Sequence, residues 1–311
     1  MISPTPKKTL LVALGGNALI KKGQQGTAEE QFENLRIPIH QIAELSKEYR
    51  IIITHGNGPQ VGNLLLQQES CHEVPKMPLE ILVAQTEGQI GYMIESTLDE
   101  ELMASGIDFR PIVSLITYVV VDKKDPAFNS PSKPIGPTYP RDVAARLPYP
   151  TQKTEKGYRR VVASPQPLTI VERREIKLLM ENDFIVICCG GGGIPVTREG
   201  RKFQGVDAVI DKDLASVCLA REIGVDIFII ATDVDYVMLN FGTPQQQKLE
   251  QVTLAEVDRY LEEGHFPAGS MAPKVKAASQ FIKQGGEKAI ITSVKSISQS
   301  LKNKAGTVFV A

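Results

Sequence analysis

The chain has 311 residues, 42% of them hydrophobic and 23% charged, which allows a large buried core and excludes a disordered chain. Its 35 Lys and Arg face 36 Asp and Glu, and Trp is absent, which argues against a general nucleic-acid binder. The longest apolar run, Phe184–Cys189, is far shorter than the roughly 20 residues of a membrane span. None of the 4 cysteines forms a C-x-x-C pair, so we expect neither a disulfide scaffold nor a zinc site, and a cytoplasmic location.

Short apolar runs rich in β-branched residues alternate along the chain with longer amphipathic stretches. The runs are too short for helices and predict buried strands at Thr9–Leu14, Arg50–Thr54, Pro111–Val121, Phe184–Cys189, Asp226–Thr232 and Lys288–Thr292. The amphipathic stretches predict helices at Ala28–Glu48, Leu79–Ser105, Ile170–Asn182, Asp213–Ile223 and Pro273–Gln284. Strands that alternate with helices favour parallel pairing, so we expect an α/β fold with helices on both faces of a sheet.

One long segment, residues 122–167, interrupts this alternation and is called the insert below. It contains many prolines, several charges and little helical periodicity. Segments of this length inside a compact domain are usually lids or binding loops. We therefore expect a lid, and the alternative is a solvated hairpin without a role.

Three glycine clusters follow predicted strands, within residues 14–19, 54–62 and 190–195. Glycine lets backbone N–H groups approach an anion closely, and ligands of open α/β sheets bind beyond the carboxyl ends of the strands. A single cluster is equally compatible with a tight turn, but three favour an anion-binding site. The P-loop, dinucleotide-binding and protein-kinase motifs are absent. His55 adjoins the second cluster, in either a structural or a catalytic role.

Two lysines lie next to predicted helix starts. Asp211 or Asp213 beside Lys212 suits a helix N-cap. Pro273 suits the first position of the next helix, which places Lys274 in a first turn where the helix dipole disfavours a cation. A bound phosphate reverses that penalty, whereas a solvent-exposed lysine tolerates it. Residues 232–237 follow a strand and either border a nucleotide or form an ordinary turn.

Taken in order, the motifs of the chain are Leu14-Gly-Gly-Asn-Ala-Leu19, His55-Gly-Asn-Gly-Pro-Gln-Val-Gly62, Asp125-Pro-Ala-Phe128, Lys133-Pro-Ile-Gly-Pro137, Arg159-Arg-Val-Val-Ala-Ser-Pro165, Gly190-Gly-Gly-Gly-Ile-Pro-Val196, Ile210-Asp-Lys-Asp213 and Gly269-Ser-Met-Ala-Pro-Lys-Val275. Together they resemble carbamate kinases, which belong to the amino acid kinase superfamily. The resemblance covers nearly the whole chain.

The resemblance implies a three-layer αβα sandwich around a mainly parallel sheet of roughly eight strands, with a protruding lid at residues 122–167. It implies an N-terminal lobe (1–185) with the carbamoyl phosphate site and a C-terminal lobe (186–311) with the nucleotide site. It also implies a homodimer that transfers a phosphoryl group reversibly between ATP and carbamate with Mg²⁺. Neither a nucleic acid nor a membrane is expected as a partner.

The resemblance also implies roles for individual residues. The acyl phosphate would be bound by Gly15, Gly16, Asn17, Gly56, Asn57 and Gly58. The catalytic residues would be Lys133, Lys212, Asp213 and Lys274, with Asp213 holding the two lysines and Lys133 reaching in from the lid. The nucleotide would contact Gly191, Gly192, Lys212, Thr232, Asp233, Val234, Tyr236, Val237, Met271 and Lys274. No protein metal ligands are predicted.

Carbamate is already an anionic oxygen nucleophile, so the chemistry needs charge neutralisation and positioning rather than a general base. The chain departs from superfamily patterns at Ala13, where many relatives have lysine, and at Thr86-Glu87, where carbamate kinases usually have Ser-Gln. Glu87 either adds negative charge near the ligand or alters a helix surface. Two alternatives therefore stay open: a kinase for another small carboxylic acid and a nucleotide sensor without turnover.

Overall fold

The computed structural model describes residues 7–71, 73–107, 110–154, 157–267 and 269–311. Its strands are β1 (Thr9–Leu14), β2 (Arg50–His55), β3 (Ile112–Ser114), β4 (Tyr118–Val121), β5 (Lys133–Tyr139), β6 (Thr151–Thr154), β7 (Gly157–Val162), β8 (Pro167–Ile170), β9 (Ile185–Ile187), β10 (Ile194–Glu199), β11 (Lys202–Gly205), β12 (Ile227–Thr232), β13 (Val237–Leu239), β14 (Gln247–Leu249), β15 (Gln251–Thr253), β16 (Lys288–Ser293) and β17 (Thr307–Val310).

The α-helices within these residues are α1 (Ala28–Leu45), α2 (Gly58–Ser70), α3 (Leu79–Ala104), α4 (Arg141–Ala144), α5 (Arg173–Glu181), α6 (Lys212–Ile223), α7 (Leu254–Glu262), α8 (Met271–Lys283) and α9 (Ile297–Leu301). Short 3₁₀ turns lie at Gly16–Ala18, Pro126–Phe128 and Gly190–Gly192. None of the helices described here is long and apolar enough to cross a membrane.

The main sheet has 8 strands in the order β15-β17-β16-β12-β1-β2-β9-β3. Every neighbouring pair is parallel except β16–β17, which confirms the mainly parallel sheet of the predicted fold class. The strands of the 186–311 range, β15, β17, β16 and β12, lie together on one side of this order, and β12 pairs with β1 of the 1–185 range. The sheet is therefore continuous across the 1–185 and 186–311 ranges.

Helices cover both faces of this sheet, as the alternating side chains of β1 show. Leu11 and Ala13 pack in one core cluster with residues of α5, α6, α7 and α8. Leu10, Val12 and Leu14 pack in the other cluster with residues of α1, α3 and α9. Since successive strand residues point to opposite faces, a strand that is apolar throughout must lie between two helical layers. This arrangement confirms the αβα sandwich.

The predicted single strand Pro111–Val121 is wrong, because the chain changes sheets within it. Residues Ile112–Ser114 belong to the main sheet, whereas Tyr118–Val121 pair with β10 and β8 in a 4-stranded sheet. At the break, the N–H of Thr117 donates 3.1 Å to Oε2 of Glu87 instead of to a neighbouring strand. The Glu87 side chain of α3 thus accepts a backbone hydrogen bond that a neighbouring strand would otherwise accept.

The insert contains regular structure that the sequence pattern conceals. Strands β5, β7 and β6 form an antiparallel sheet of 3 strands, in that order. β5 contains Pro134 and Pro137, and its register with β7 shifts between Ile135 and Thr138, where Gly136 has φ 70°. Prolines and a bulge remove the alternation by which strands are recognised in a sequence.

Helix ends differ from the predicted ones where strands or turns intervene. Ile170 ends β8, so α5 begins only at Arg173, and α1 ends at Leu45 rather than at Glu48. α8 begins at Met271, which makes Pro273 its third residue instead of its first. Lys274 nevertheless remains near the N-terminus of that helix.

Candidate active site

Four loops meet at the carboxyl edge of the main sheet, because β12, β1, β2 and β9 are neighbours. The first two glycine clusters contact each other and β12 directly. The N–H of Gly15 donates 2.9 Å to the carbonyl of Ala231, and that of Gly56 donates 3.0 Å to the carbonyl of Leu14. A Cβ on Gly15 would lie only 3.1 Å from the Ala231 oxygen, and one on Gly56 would lie 3.4 Å from the nitrogen of Gly16. A side chain at Gly15 would therefore force a small shift of these loops, whereas one at Gly56 would just reach contact distance.

Within the second cluster, Asn57 is buried and precedes the first residue of α2. Its Nδ2 donates 2.9 Å to Oγ1 of Thr86 on α3, which fixes the amide orientation. Gly58 is the first residue of α2, and a Cβ there would meet no atom within 4 Å. The start of α2 thus faces open space, which suits an anion at the N-terminus of a helix.

The third glycine cluster forms a turn between the second cluster and α6. Gly191, Gly192 and Gly193 have φ values of 65°, 96° and 82°, which side chains rarely adopt. A Cβ on Gly191 would lie 2.1 Å from Nδ2 of Asn57, and one on Gly192 would lie 2.3 Å from the carbonyl oxygen of Ile210. This glycine turn (residues 190–193) therefore joins the Asn57 loop to the loop that starts α6.

A buried carboxylate between two lysines lies beside this turn. Asp213 on α6 is 2% exposed, and its Oδ1 and Oδ2 lie 2.9 Å from Nζ of Lys212 and Nζ of Lys274, respectively. Burial alone raises the pKa of Asp213, but the two ammonium groups outweigh it and lower that pKa to about 2. Asp213 is therefore an anion that holds two cations from α6 and α8 together.

The two lysines differ in their surroundings. Burial lowers the pKa of Lys212, against the pull of Asp213. Burial also lowers the pKa of Lys274, but Asp213 outweighs it and raises that pKa. Among the described residues, Nζ of Lys212 has an ion pair but no well-aligned hydrogen bond, although it is buried. A buried ammonium with unused donors favours an anionic ligand.

Asp211 resolves the choice of helix cap and connects the site to the insert. Its Oδ1 accepts from the N–H groups of Asp213 and Leu214 at 3.0 and 3.4 Å, so Asp211, not Asp213, caps α6. Its Oδ2 accepts 2.9 Å from Nζ of Lys133, the first residue of β5. Lys133 of the insert therefore contacts the start of α6, at the residue that immediately precedes Lys212.

A cavity of about 240 Å³ opens at the end of β12 beside Lys274. Of the residues predicted to contact a nucleotide, it is lined by Thr232, Asp233, Val234, Tyr236, Met271 and Lys274. The other lining residues are Met238, Phe241, Pro267 and Ser270, which the sequence interpretation missed. Phe241 is 62% exposed, but exposure is a property of the fold, so no local pattern of the sequence would have revealed these four residues.

The remaining predicted nucleotide residues lie outside this cavity. Val237 is fully buried, and its N–H donates 2.9 Å to Oγ1 of Thr307. It therefore fixes the end of the 232–237 segment and does not line the cavity. Two of the others, Gly191 and Gly192, belong to the glycine turn, and Lys212 lies beside Asp213. A second cavity of about 640 Å³ shares Thr232 and Asp233 with the first and extends to Asn17. The two cavities therefore connect the end of β12 with the first glycine cluster.

His55 and Glu87 flank the glycine turn, since a Cβ on Gly190 would lie 2.6 Å from Nε2 of His55 and 2.9 Å from Cγ of Glu87. Burial lowers the pKa of His55 to about 4, and its Nδ1 donates 3.2 Å to the carbonyl of Gly56. Burial also raises the pKa of Glu87 well above its usual range. Glu87 is 3% exposed, so it does not alter a helix surface.

Among the described residues no group of three His, Cys, Asp or Glu side chains is arranged to hold a metal ion. The four cysteines are free thiols, and Cys188 and Cys189 are buried directly before the glycine turn. Protein-held Mg²⁺ usually keeps several waters and binds substrate phosphates with only one or two carboxylates.

Comparisons with known proteins agree with this geometry. The sequence model of the amino acid kinase family matches residues 8–293. The chain is 47% identical to a carbamate kinase of Thermococcus kodakarensis over 96% of this chain and 98% of that one. It is 44% identical to the carbamate kinase-like protein YahI of Escherichia coli, over 97% and 98% of the two chains.

A solved structure, the carbamate kinase from Giardia lamblia bound to AMP-PNP, superimposes with a TM-score of 0.91 at 40% identity and covers 98% of both chains. Identity at this level over nearly the full length shows the family as well as the fold. The chain therefore belongs to the amino acid kinase family, and within it to the carbamate kinases, which are phosphotransferases.

Proposed function

We propose that the chain transfers a phosphoryl group reversibly between carbamoyl phosphate and ADP, giving ATP and carbamate, which breaks down to ammonia and CO₂. The observation that carries this proposal is the Lys212–Asp213–Lys274 group, which adjoins both the glycine turn and the cavity beside β12. The relatives named above support carbamate as the acceptor.

The glycine clusters are assigned to the acyl phosphate. Backbone N–H groups of Gly16 and Gly58 can approach its oxygens because these residues have no side chains. The N–H groups of Gly15 and Gly56 donate to the carbonyls of Ala231 and Leu14 instead, so these two glycines are assigned to the shape of the site and not to donation. The amides of Asn17 and Asn57 supply further donors, and the Thr86 contact holds the second of them in place. Prearranged donors of this kind cost no reorganisation when charge develops during the reaction.

The lysines are assigned to the transferred phosphoryl group. Its transition state spreads negative charge over three oxygens, and two ammonium groups held by one carboxylate oppose that charge from fixed positions. Lys133 of the insert would add a third cation, since its contact Asp211 immediately precedes Lys212. Gly191 and Gly192 would let the phosphates pass close to the turn.

No residue is needed as a general base, because carbamate attacks as an anion. His55 agrees with this assignment: its pKa, lowered to about 4 by burial, makes the ring a weak base near pH 7, and its Nδ1 is occupied by Gly56. Mg²⁺ bound to the nucleotide phosphates would neutralise part of their charge.

The 1–185 range would supply the carbamoyl phosphate site and the 186–311 range the nucleotide site, with the insert as the lid. Assembly into a homodimer stays a prediction.

The proposal predicts that Lys212→Ala lowers the rate of ATP formation from carbamoyl phosphate, ADP and Mg²⁺ by about two to three orders of magnitude. The physical reason is the loss of one fixed cation from the transition state, comparable to the loss of an oxyanion-hole donor. The measurement is a coupled ATP assay on purified wild type and variant, with circular dichroism to establish folding.

Lys283→Ala is the matched control, since Lys283 ends α8 and pairs on the surface with Asp258. Its turnover should equal that of the wild type. Folded wild type that binds ADP but forms no ATP would contradict the proposal. Turnover with another acyl phosphate would then indicate a kinase for a different carboxylic acid, and its absence with all of them a nucleotide sensor.

A further inference from the structure

Three side chains that the proposed reaction does not use join the insert to α2. Glu69, near the end of α2, accepts hydrogen bonds from two phenols of the insert. The hydroxyl of Tyr149 donates 2.7 Å to Oε1, and that of Tyr139 donates to Oε2. The two hydroxyl oxygens lie 3.2 Å apart. One carboxylate thus binds the end of β5 and the loop between α4 and β6 at once.

This cluster lies at the opposite end of β5 from Lys133. β5 begins at Lys133 and ends at Tyr139, and it runs beside α2. The two elements approach closely midway, because a Cβ on Gly62 would lie 3.5 Å from Cα of Gly136. α2 itself begins at Gly58, in the second glycine cluster. A strand fixed to α2 at its far end therefore has a fixed position at its Lys133 end, beside Asp211.

Further contacts limit the movement of the same cluster. The guanidinium of Arg160 on β7 lies 4.8 Å from the centre of the Tyr149 ring. Its Nη2 donates to both carboxylate oxygens of Asp207 at 2.7 and 3.0 Å, in the segment that leads to Asp211. Stacking over one phenol and pairing with the body of the protein keep Tyr149 aligned towards Glu69.

We propose that Glu69 is a positioning residue for the phosphoryl transfer: by binding Tyr139 and Tyr149 it fixes β5 on α2 and thereby holds Lys133 beside Asp211. The inference rests on the proposed function, which assigns Lys133 to the reaction. The Lys133 side chain is 40% exposed, and its ammonium is held at its tip by the ion pair with Asp211. The position of its base comes from the strand that carries it.

The test removes the two phenol donors but keeps both rings. The double variant Tyr139→Phe/Tyr149→Phe should lower kcat for ATP formation about tenfold, equivalent to about 1.4 kcal/mol in the barrier. The KM for ADP should not change, because the residues that line the cavity beside β12 all lie outside the insert. A kcat equal to that of the wild type would overturn the proposal.

Tyr158→Phe is the matched control, since Tyr158 lies opposite Tyr139 in the insert sheet and its hydroxyl has no hydrogen bond among the described residues. Its kcat should match the wild type. A loss as large as that of the double variant would show a general weakening of the insert and would contradict a specific role for Glu69.

A double-mutant cycle separates positioning of Lys133 from a purely structural role. If the phenols act through Lys133, the two Phe substitutions add no further loss in a Lys133→Ala background. Loss by the same factor in both backgrounds would overturn the proposal. Wild type without any turnover would instead contradict the proposed function, and the contact itself is then tested by titration.

The titration uses the ultraviolet absorbance of the 8 tyrosines, which no Trp obscures. Burial first, and then the Glu69 carboxylate, raise the pKa of the Tyr139 phenol, and the same two causes raise that of Tyr149 against the opposing effects of Tyr139 and Arg160. Wild type should show a late-ionising fraction that shrinks in Glu69→Gln. Its absence from the wild-type curve would overturn the contact, whatever the activity.

Discussion

Asp213 and Glu87 are both buried carboxyl groups near the glycine turn, yet their surroundings shift their pKa values in opposite directions. Burial raises the pKa of each, but Lys212 and Lys274 reverse the effect at Asp213, which has a pKa of about 2. At Glu87, the hydrogen bond from the N–H of Thr117 opposes burial only in part, and the Glu172 carboxylate reinforces it. One residue is thus an anion and the other favours the neutral acid.

The raised pKa of Glu87 predicts that Glu87→Gln stabilises the protein at high pH. As the pH rises above about 4.3, the unfolded Glu87 releases its proton while the folded one retains it. The unfolded state then binds fewer protons, so wild-type stability falls by up to about 1.4 kcal/mol per pH unit from this group, until the folded pKa is reached. Denaturant unfolding at pH 5 and pH 8 should show a larger advantage of the variant at pH 8.

His55 complicates only the acidic part of this comparison. Its pKa of about 4 in the folded state lies below that of an unfolded histidine, so its contribution to stability rises with pH between about 4 and 6.5. Because both proteins retain His55, its contribution cancels in the difference between them. Glu100→Gln, at an exposed position of the same helix, is the control and should show no comparable pH dependence. An advantage of Glu87→Gln that is equal at both pH values would contradict the prediction.

At the scale of elements, the glycine turn is the least replaceable loop of the site. We predict that Gly192→Ala lowers the free energy of unfolding by more than about 3 kcal/mol, because its Cβ would lie 2.3 Å from a backbone oxygen that cannot rotate away. Gly200→Ala is the control, since Gly200 has φ 63° but no atom within 4 Å of an added Cβ. It should cost only the about 1–2 kcal/mol of the left-handed conformation. Equal losses in thermal or denaturant unfolding would show that conformation alone, not crowding by Ile210, limits the turn.

Elements whose signal is local were predictable from the sequence, and elements defined by distant contacts were not. β1 was predicted with both of its ends, because an apolar run buried on two faces needs no further information. The break between β3 and β4 depends on a hydrogen bond between Thr117 and Glu87, which are 30 residues apart. β5 is concealed by its prolines and its bulge.

The same distinction applies to the site. The glycine clusters and the two lysines were visible as local patterns, and the resemblance supplied their roles. The contact between Lys274 and Asp213 spans 61 residues, and that between Tyr139 and Glu69 spans 70. Neither pair has a local spacing that would reveal it. The resemblance led to the first pair, whereas only the fold brings the second together.

At the scale of the whole molecule, the two halves of the proposed reaction are separable in space. The cavity beside β12 is formed by residues 232–274, whereas Lys133 comes from the insert. The insert also leaves and re-enters the body at neighbouring points. The carboxylate of Asp125 accepts 2.9 Å from the N–H of Gln166, so a short linker can replace the residues between them. Removal exposes part of a small apolar cluster that includes Val61 and Leu65, so some loss of stability is expected.

We therefore predict that replacing residues 126–165 with a short Gly-Ser linker spares ADP binding and lowers ATP formation by about two orders of magnitude, since the third cation is lost. Calorimetric titration with ADP and a coupled ATP assay on the same preparation measure the two effects. Lys133→Ala in the intact chain should reproduce the loss of turnover without exposing Val61 or Leu65. Equal losses of ADP affinity and turnover in both variants would contradict the assignment of the nucleotide to the 186–311 range, because that cavity has no lining residue from the insert.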